Sequence, residues 1–153
     1  MTGETKQKFQ DIEDLLTHRP PFIFVDELLE VDEEKTVARH VFRHDDEFFK
    51  GHFPGNPIVP GVLLVEMMAQ CGGAGLRQSG VLPSGAFFVL GTVEKAKFRA
   101  PVFPGDSVII EVKNLRVSSV MLRQSGIVKI HGKVAAEATW MCVIGKQEKE
   151  SAS

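Results

Sequence analysis

Residues 51–61, Gly-His-Phe-Pro-Gly-Asn-Pro-Ile-Val-Pro-Gly, run straight into Val62–Gln78, a stretch that is apolar almost all round. Proline locks φ and glycine tolerates turns closed to other residues, so the path of this loop is narrowly set. The Pro60-Gly61 pair suits a helix start. A helix with no polar face belongs inside a core. This one nevertheless keeps Glu66 and Gln70, four apart and on one face. An unpaired carboxylate in a core is costly and shifts its pKa. A histidine in the stiff loop, His52, and a carboxylate in the buried helix, Glu66, therefore point to acid–base chemistry.

The rest of the chain decides what surrounds that helix. Asp11–Thr17 reads as a short helix, Phe22–Val31 as a strand, and Thr36–His44 as a second strand. Asp45–Phe49 reads as a turn leading into the loop. Gly72, Gly73 and Gly75 loosen the central helix but let other backbone come close. Beyond the turn at 80–85 the pattern is β throughout, with strands over Ala86–Phe98, Ser107–Val117, Met121–His131 and Lys133–Ile144. One long buried helix ahead of a run of strands predicts an α+β fold, a sheet wrapped around a helix. A single domain is expected over 11–145, with flexible polar ends at 1–10 and 146–153.

Composition narrows the function classes. The chain has 153 residues, 43% hydrophobic and 25% charged, enough for one domain with a sizeable core. A net charge of −2 gives no whole-molecule field for nucleic acid or an anionic membrane, so an acidic partner needs a local basic patch. The two cysteines, Cys71 and Cys142, read as buried thiols and favour a reducing, cytoplasmic compartment. The first ten residues lack an apolar signal core, and no run reaches the ~18 apolar residues of a membrane span.

Each candidate site has a plainer alternative. His52 could simply satisfy backbone carbonyls in a turn, and Glu66 could reach solvent or an arginine. Together with Gly61 they gain weight, because the first turn of a helix leaves N–H groups free to polarise a carbonyl. A metal site is not expected. His40 and His44 would share a strand face about 13 Å apart at ~3.3 Å per residue, too far for one ion. Neither a phosphate loop nor a dinucleotide fingerprint occurs. Lys95, Lys97 and Arg99 alternate along one strand, so they fall on one side. They form either a solvated face or a docking patch for an acidic partner.

The motifs His18-Arg-Pro-Pro-Phe22, Val25-Asp26, Gly51-His52-Phe53-Pro54-Gly55, Pro60-Gly61-Val62 and Glu66-x-Met68-Ala69-Gln70 closely resemble the β-hydroxyacyl-acyl-carrier-protein dehydratases of FabZ type. The likeness continues through Glu94–Asp106 and Glu137–Met141. It implies a hot-dog fold that pairs into homodimers, commonly three dimers together. It also implies dehydration of (3R)-3-hydroxyacyl chains on acyl carrier protein, carried on phosphopantetheine, to trans-2-enoyl chains in fatty-acid elongation. By the same resemblance His52 removes the C2 proton, and Glu66 of the partner subunit serves the leaving hydroxyl. Gln70 orients Glu66, Gly61 holds the thioester oxygen, and Phe53 lies at the substrate. Lys95, Lys97 and Arg99 would dock the carrier, and no cofactor is required. The related dehydratase-isomerase branch carries Asp where this chain has Glu66, which favours dehydration alone. A hot-dog acyl thioesterase and a non-catalytic acyl-carrier binding module are the alternatives.

Overall fold

The computed structural model describes residues 8–83 and 85–146. Six strands form one antiparallel sheet in the order β1-β2-β4-β5-β6-β3. They are β1 (Glu27–Val31), β2 (Lys35–Val41), β3 (Ala86–Phe98), β4 (Ser107–Val117), β5 (Met121–Ile130) and β6 (Lys133–Lys146). A four-residue helix, α1 (Ile12–Leu15), precedes them, and a 3₁₀ turn spans Glu47–Lys50. The long helix α2 (Gly61–Gln78) touches every strand.

Periodicity explains how sheet and helix meet. Burial along β5 alternates strictly, so one face is turned to the core and the other to solvent. From Met67 to Leu76 every residue of α2 is buried, as an all-round apolar helix requires. Gly73 lets the sheet approach: a Cβ there would lie 2.0 Å from the Phe88 ring. The core joins Met67, Met68, Phe42, Ile110, Leu122 and Trp140.

Three expectations need correction. The first strand starts at Glu27 rather than Phe22, because the backbone ahead of it is used elsewhere. The Phe24 N–H donates to Gln70 Oε1 at 2.9 Å, and the Phe22 carbonyl accepts from Gln70 Nε2 at 3.0 Å. Asp26 ends this strap. Its Oδ1 lies 2.9 Å from His40 Nδ1, its Oδ2 accepts the Val41 N–H at 2.9 Å, and its own N–H donates to the Arg39 carbonyl. The second strand ends at Val41, because Phe42 turns to pair with Asp106 and Gly105. The polar ends are also shorter than expected. Gln10 donates its N–H to Gln78 Oε1, Phe9 packs on the core, and Lys146 still pairs with Ala86. The outermost parts of those ends, 1–7 and 147–153, lie outside the described residues.

Candidate active site

His52 sits in a loop closed by its own backbone. The His52 N–H donates to the Phe48 carbonyl at 3.1 Å, and the Ile58 N–H donates back to the His52 carbonyl at 3.3 Å. The imidazole Nδ1 lies 2.9 Å from the Ile58 carbonyl oxygen. A carbonyl only accepts, so Nδ1 carries the proton and Nε2 is left with a lone pair. The ring thus satisfies a turn carbonyl, as the plainer alternative expects, and the same bond leaves Nε2 of the neutral ring free to accept a proton. Phe53 is exposed, its ring 4.2 Å from that of His52.

Glu66 is held differently. It projects from the second turn of α2, and burial raises its carboxyl above the ordinary 4.5. Gln70 Nε2 donates to Glu66 Oε2 at 3.1 Å, which opposes part of that rise. Gln70 is wholly buried and fixed by the Phe22–Phe24 strap, so the residue that bonds the Glu66 carboxylate is itself held by a segment 46 to 48 positions away from it. On β6 the buried Cys142 faces the same region. Burial and the nearby Glu66 charge push its thiol up to about 12, so it stays an inert thiol.

Gly61 opens α2 behind Pro60, which supplies no side-chain cap. Its N–H is one of the four that a helix leaves without an internal partner. A Cβ at Gly61 would lie 2.9 Å from the Phe98 ring, so the glycine lets an aromatic wall close over the helix start.

Within one chain, no hydrogen bond or ion pair joins His52 to Glu66 among the described residues. The structure does bring together Glu66 and Gln70, as the sequence predicts, and adds a residue given no chemical role there. His18 Nε2 lies 3.6 Å from Glu66 Oε2. The available signal was a histidine next to the stiff Arg19-Pro20-Pro21 segment.

The basic run departs from its expected geometry. A β-bulge between Glu94 and Lys97 inserts one extra residue, and Lys95 takes a left-handed φ of 52°. Lys97 and Arg99 keep a common face, while the alternation that would include Lys95 is broken. Arg99 is also engaged, its Nη2 and Nε donating to the two Glu137 carboxylate oxygens at 3.0 and 3.2 Å. Among the described residues no three His, Cys, Asp or Glu side chains group as metal ligands, and no helix is long and apolar enough to cross a membrane.

The FabA-like domain model matches residues 16–141, which include every site residue named above. The 3-hydroxyacyl-[acyl-carrier-protein] dehydratase FabZ of Erwinia tasmaniensis is 39% identical, over 96% of this chain and 99% of that protein. The chain belongs to the FabZ dehydratase family. FabZ of Proteus mirabilis is also 39% identical, over 93% of this chain and 96% of its own. Among solved structures, the dehydratase heterocomplex ApeI:P from Xenorhabdus doucetiae superposes with a TM-score of 0.77. It is 15% identical and covers 93% of this chain and 94% of that one, which shows a shared hot-dog fold. In this FabZ-family chain, then, the expected fold is the observed one, with α2 as the helix inside the sheet.

Proposed function

We propose that the protein dehydrates (3R)-3-hydroxyacyl chains on acyl carrier protein to trans-2-enoyl chains in fatty-acid biosynthesis. The observation that carries this reading is the near-full-length likeness to FabZ dehydratases. The geometry supports a role for each residue. His52 Nε2 takes a proton from C2, and the electrons of that C–H bond move into the thioester as enolate charge, met by the Gly61 N–H. Those electrons then form the C2–C3 double bond as the C3–O bond breaks. Glu66, its carboxyl raised by burial, gives its proton to the leaving hydroxyl, which departs as water. The proton on His52 finally returns to the Glu66 carboxylate.

We infer that the two groups come together across two chains. The edge strand β3 has one neighbour among the described residues, and Gly91–Arg99 are all exposed, including Val93 and Phe98. A long exposed edge with apolar side chains is a template for a second copy. Pairing β3 with β3 makes a homodimer that sets His52 against Glu66 of the partner subunit, and three such dimers form the larger assembly. Phe53, exposed in one chain, then lines the acyl path, and the carrier docks at the Lys97 end of β3. The two free, buried thiols suit the cytoplasm.

The test is direct. Incubation with a 3-hydroxyacyl thioester should produce the absorbance of a conjugated enoyl thioester, with no free thiol. Release of thiol without enoyl product would mean a thioesterase. Absence of turnover on carrier-linked substrate would mean a binding module.

A further inference from the structure

Glu66 Oε2 accepts a hydrogen bond from one side, and a second donor stands just outside hydrogen-bond length on another. Gln70 approaches it from the same helix. His18 approaches it from the loop after α1, with Nε2 at 3.6 Å. The His18 ring is clamped: its centroid lies 6.3 Å from that of Phe22, nearly parallel, and 5.8 Å from that of Phe88. Arg19 locks the loop by donating Nη1 to the Leu16 and His18 carbonyls. His18 Nδ1 is buried and has no partner.

Those contacts settle which form of the ring fits. An imidazolium needs partners for two N–H groups, and here one would be stranded among phenylalanines. Burial accordingly lowers the His18 pKa and keeps the ring neutral. Of the two neutral tautomers, one strands an N–H and the other a lone pair at Nδ1. A stranded N–H is the rarer and costlier defect. The proton therefore belongs on Nε2, which faces the carboxyl.

We propose that His18 is a positioning residue for the acid: with Gln70 it presents donors to Glu66 Oε2 and so confines the catalytic proton to Oε1, the oxygen left for substrate. This rests on the dehydration reading for the role of Glu66, but the placement of the proton on His18 does not. The groups facing Glu66 are His18 from the loop, Gln70 from α2 and the un-ionised Cys142 thiol from β6. His18 and Gln70 are the donors. Loss of the His18 donor removes support for the Glu66 anion, so the carboxyl holds its proton to higher pH.

Two substitutions separate this from packing. His18→Phe keeps an aromatic ring between Phe22 and Phe88 but removes both nitrogens. His18→Gln places an amide N–H near the position of Nε2. In His18→Phe, kcat should fall about tenfold with KM within about twofold, and the alkaline limb of the pH profile should move up by about half a unit. His18→Gln should recover most of both. A folded His18→Phe enzyme with unchanged kcat and pH limb would overturn the proposal, as would a His18→Gln enzyme no better than the Phe variant. Nitrogen-15 NMR of the imidazoles in the unsubstituted protein requires no variant. It should show His18 neutral with its proton on Nε2, and an Nδ1–H tautomer or an imidazolium near neutral pH would refute the arrangement. If instead Glu66→Ala retained full activity, the dehydration roles would fail while the tautomer result stood.

Discussion

The loop that carries His52 and the helix face that carries Glu66 solve the same problem by different means. His52 is oriented by the backbone: its Nδ1 meets the Ile58 carbonyl, six residues on in the same loop. Glu66 is oriented by side chains, through Gln70 and the strap at Phe22 and Phe24, with His18 alongside. A backbone carbonyl survives nearly every substitution, whereas a side-chain relay can be cut at any member. His52 should therefore be robust to changes around it and Glu66 sensitive to them. At Glu66 the environment that shifts the group is burial, which raises the carboxyl, and the Gln70 side chain, which tempers the rise.

The largest effects come from removing the groups themselves. His52→Ala and Glu66→Ala should each lower kcat by about 10²–10⁴-fold while the protein stays folded, measured by turnover beside circular dichroism. Near-normal activity in either would remove that residue from the chemistry. Mixing the two inactive proteins tests whether the halves of the site come from separate chains. A mixed dimer has one site with both groups intact, so random exchange should restore about a quarter of normal activity. If exchange is demonstrated and nothing returns, the shared site is refuted.

Next come the supports, where the comparison is sharpest. Gln70→Leu strands the Phe24 N–H and the Phe22 carbonyl and frees the Glu66 carboxyl. A loss of about 1–3 kcal/mol of stability is expected, together with a clear fall in kcat. Ile58→Ala leaves the carbonyl that holds His52 in place, and activity should change less than about fivefold. Equal kinetic losses from the two changes would erase the distinction between the backbone-held His52 and the side-chain-held Glu66.

A smaller effect reads the burial of Glu66 through stability. Its folded pKa lies above the ordinary 4.5. Between the two values the folded state binds more protons than the unfolded chain, so stability falls as pH rises through that window. Glu66→Gln cannot ionise and removes this slope. Above the window its Tm should exceed that of the parent by about 2–4 °C, while activity is lost. Melting curves from pH 4 to 8 that stay parallel for the two proteins would show that Glu66 is not held neutral by burial.

The difference between the regions also governs what could be read in the sequence. The loop, its histidine and the helix start are contiguous, so spacing and Pro/Gly chemistry revealed them. The strands over 86–98 and 107–117 match their expected limits because β-rich runs bounded by Gly, Pro and Ser turns are local information. Contacts between distant segments were not legible. Nothing in Phe22–Asp26 announces that its N–H and C=O groups serve Gln70, so an apolar run read as strand became a strap. The bulge at Lys95 is equally hidden, since it depends on the register with β6.

That bulge frames the smallest effect, at carrier docking. Arg99 is already committed to Glu137, and Lys95 is displaced from the alternating face. Lys97 is exposed and, like Lys95, makes no ion pair among the described residues, but unlike Lys95 it keeps the alternating face, opposite Glu137. An acidic carrier protein approaching a chain of net charge −2 depends on such local cations, and encounter through them responds to charge and salt. Lys97→Glu should raise KM for carrier-linked substrate by about three- to tenfold at low salt, with kcat little changed. Short pantetheine thioesters, which lack the carrier surface, should be processed as before. Arg99→Glu breaks the bidentate pair with Glu137, and Lys97→Glu sets a carboxylate directly opposite Glu137 across the strands, so both should lose stability, Arg99→Glu the more. Equal loss of activity on both substrates would mean damage to the site itself, and no loss on either would place the docking surface away from β3.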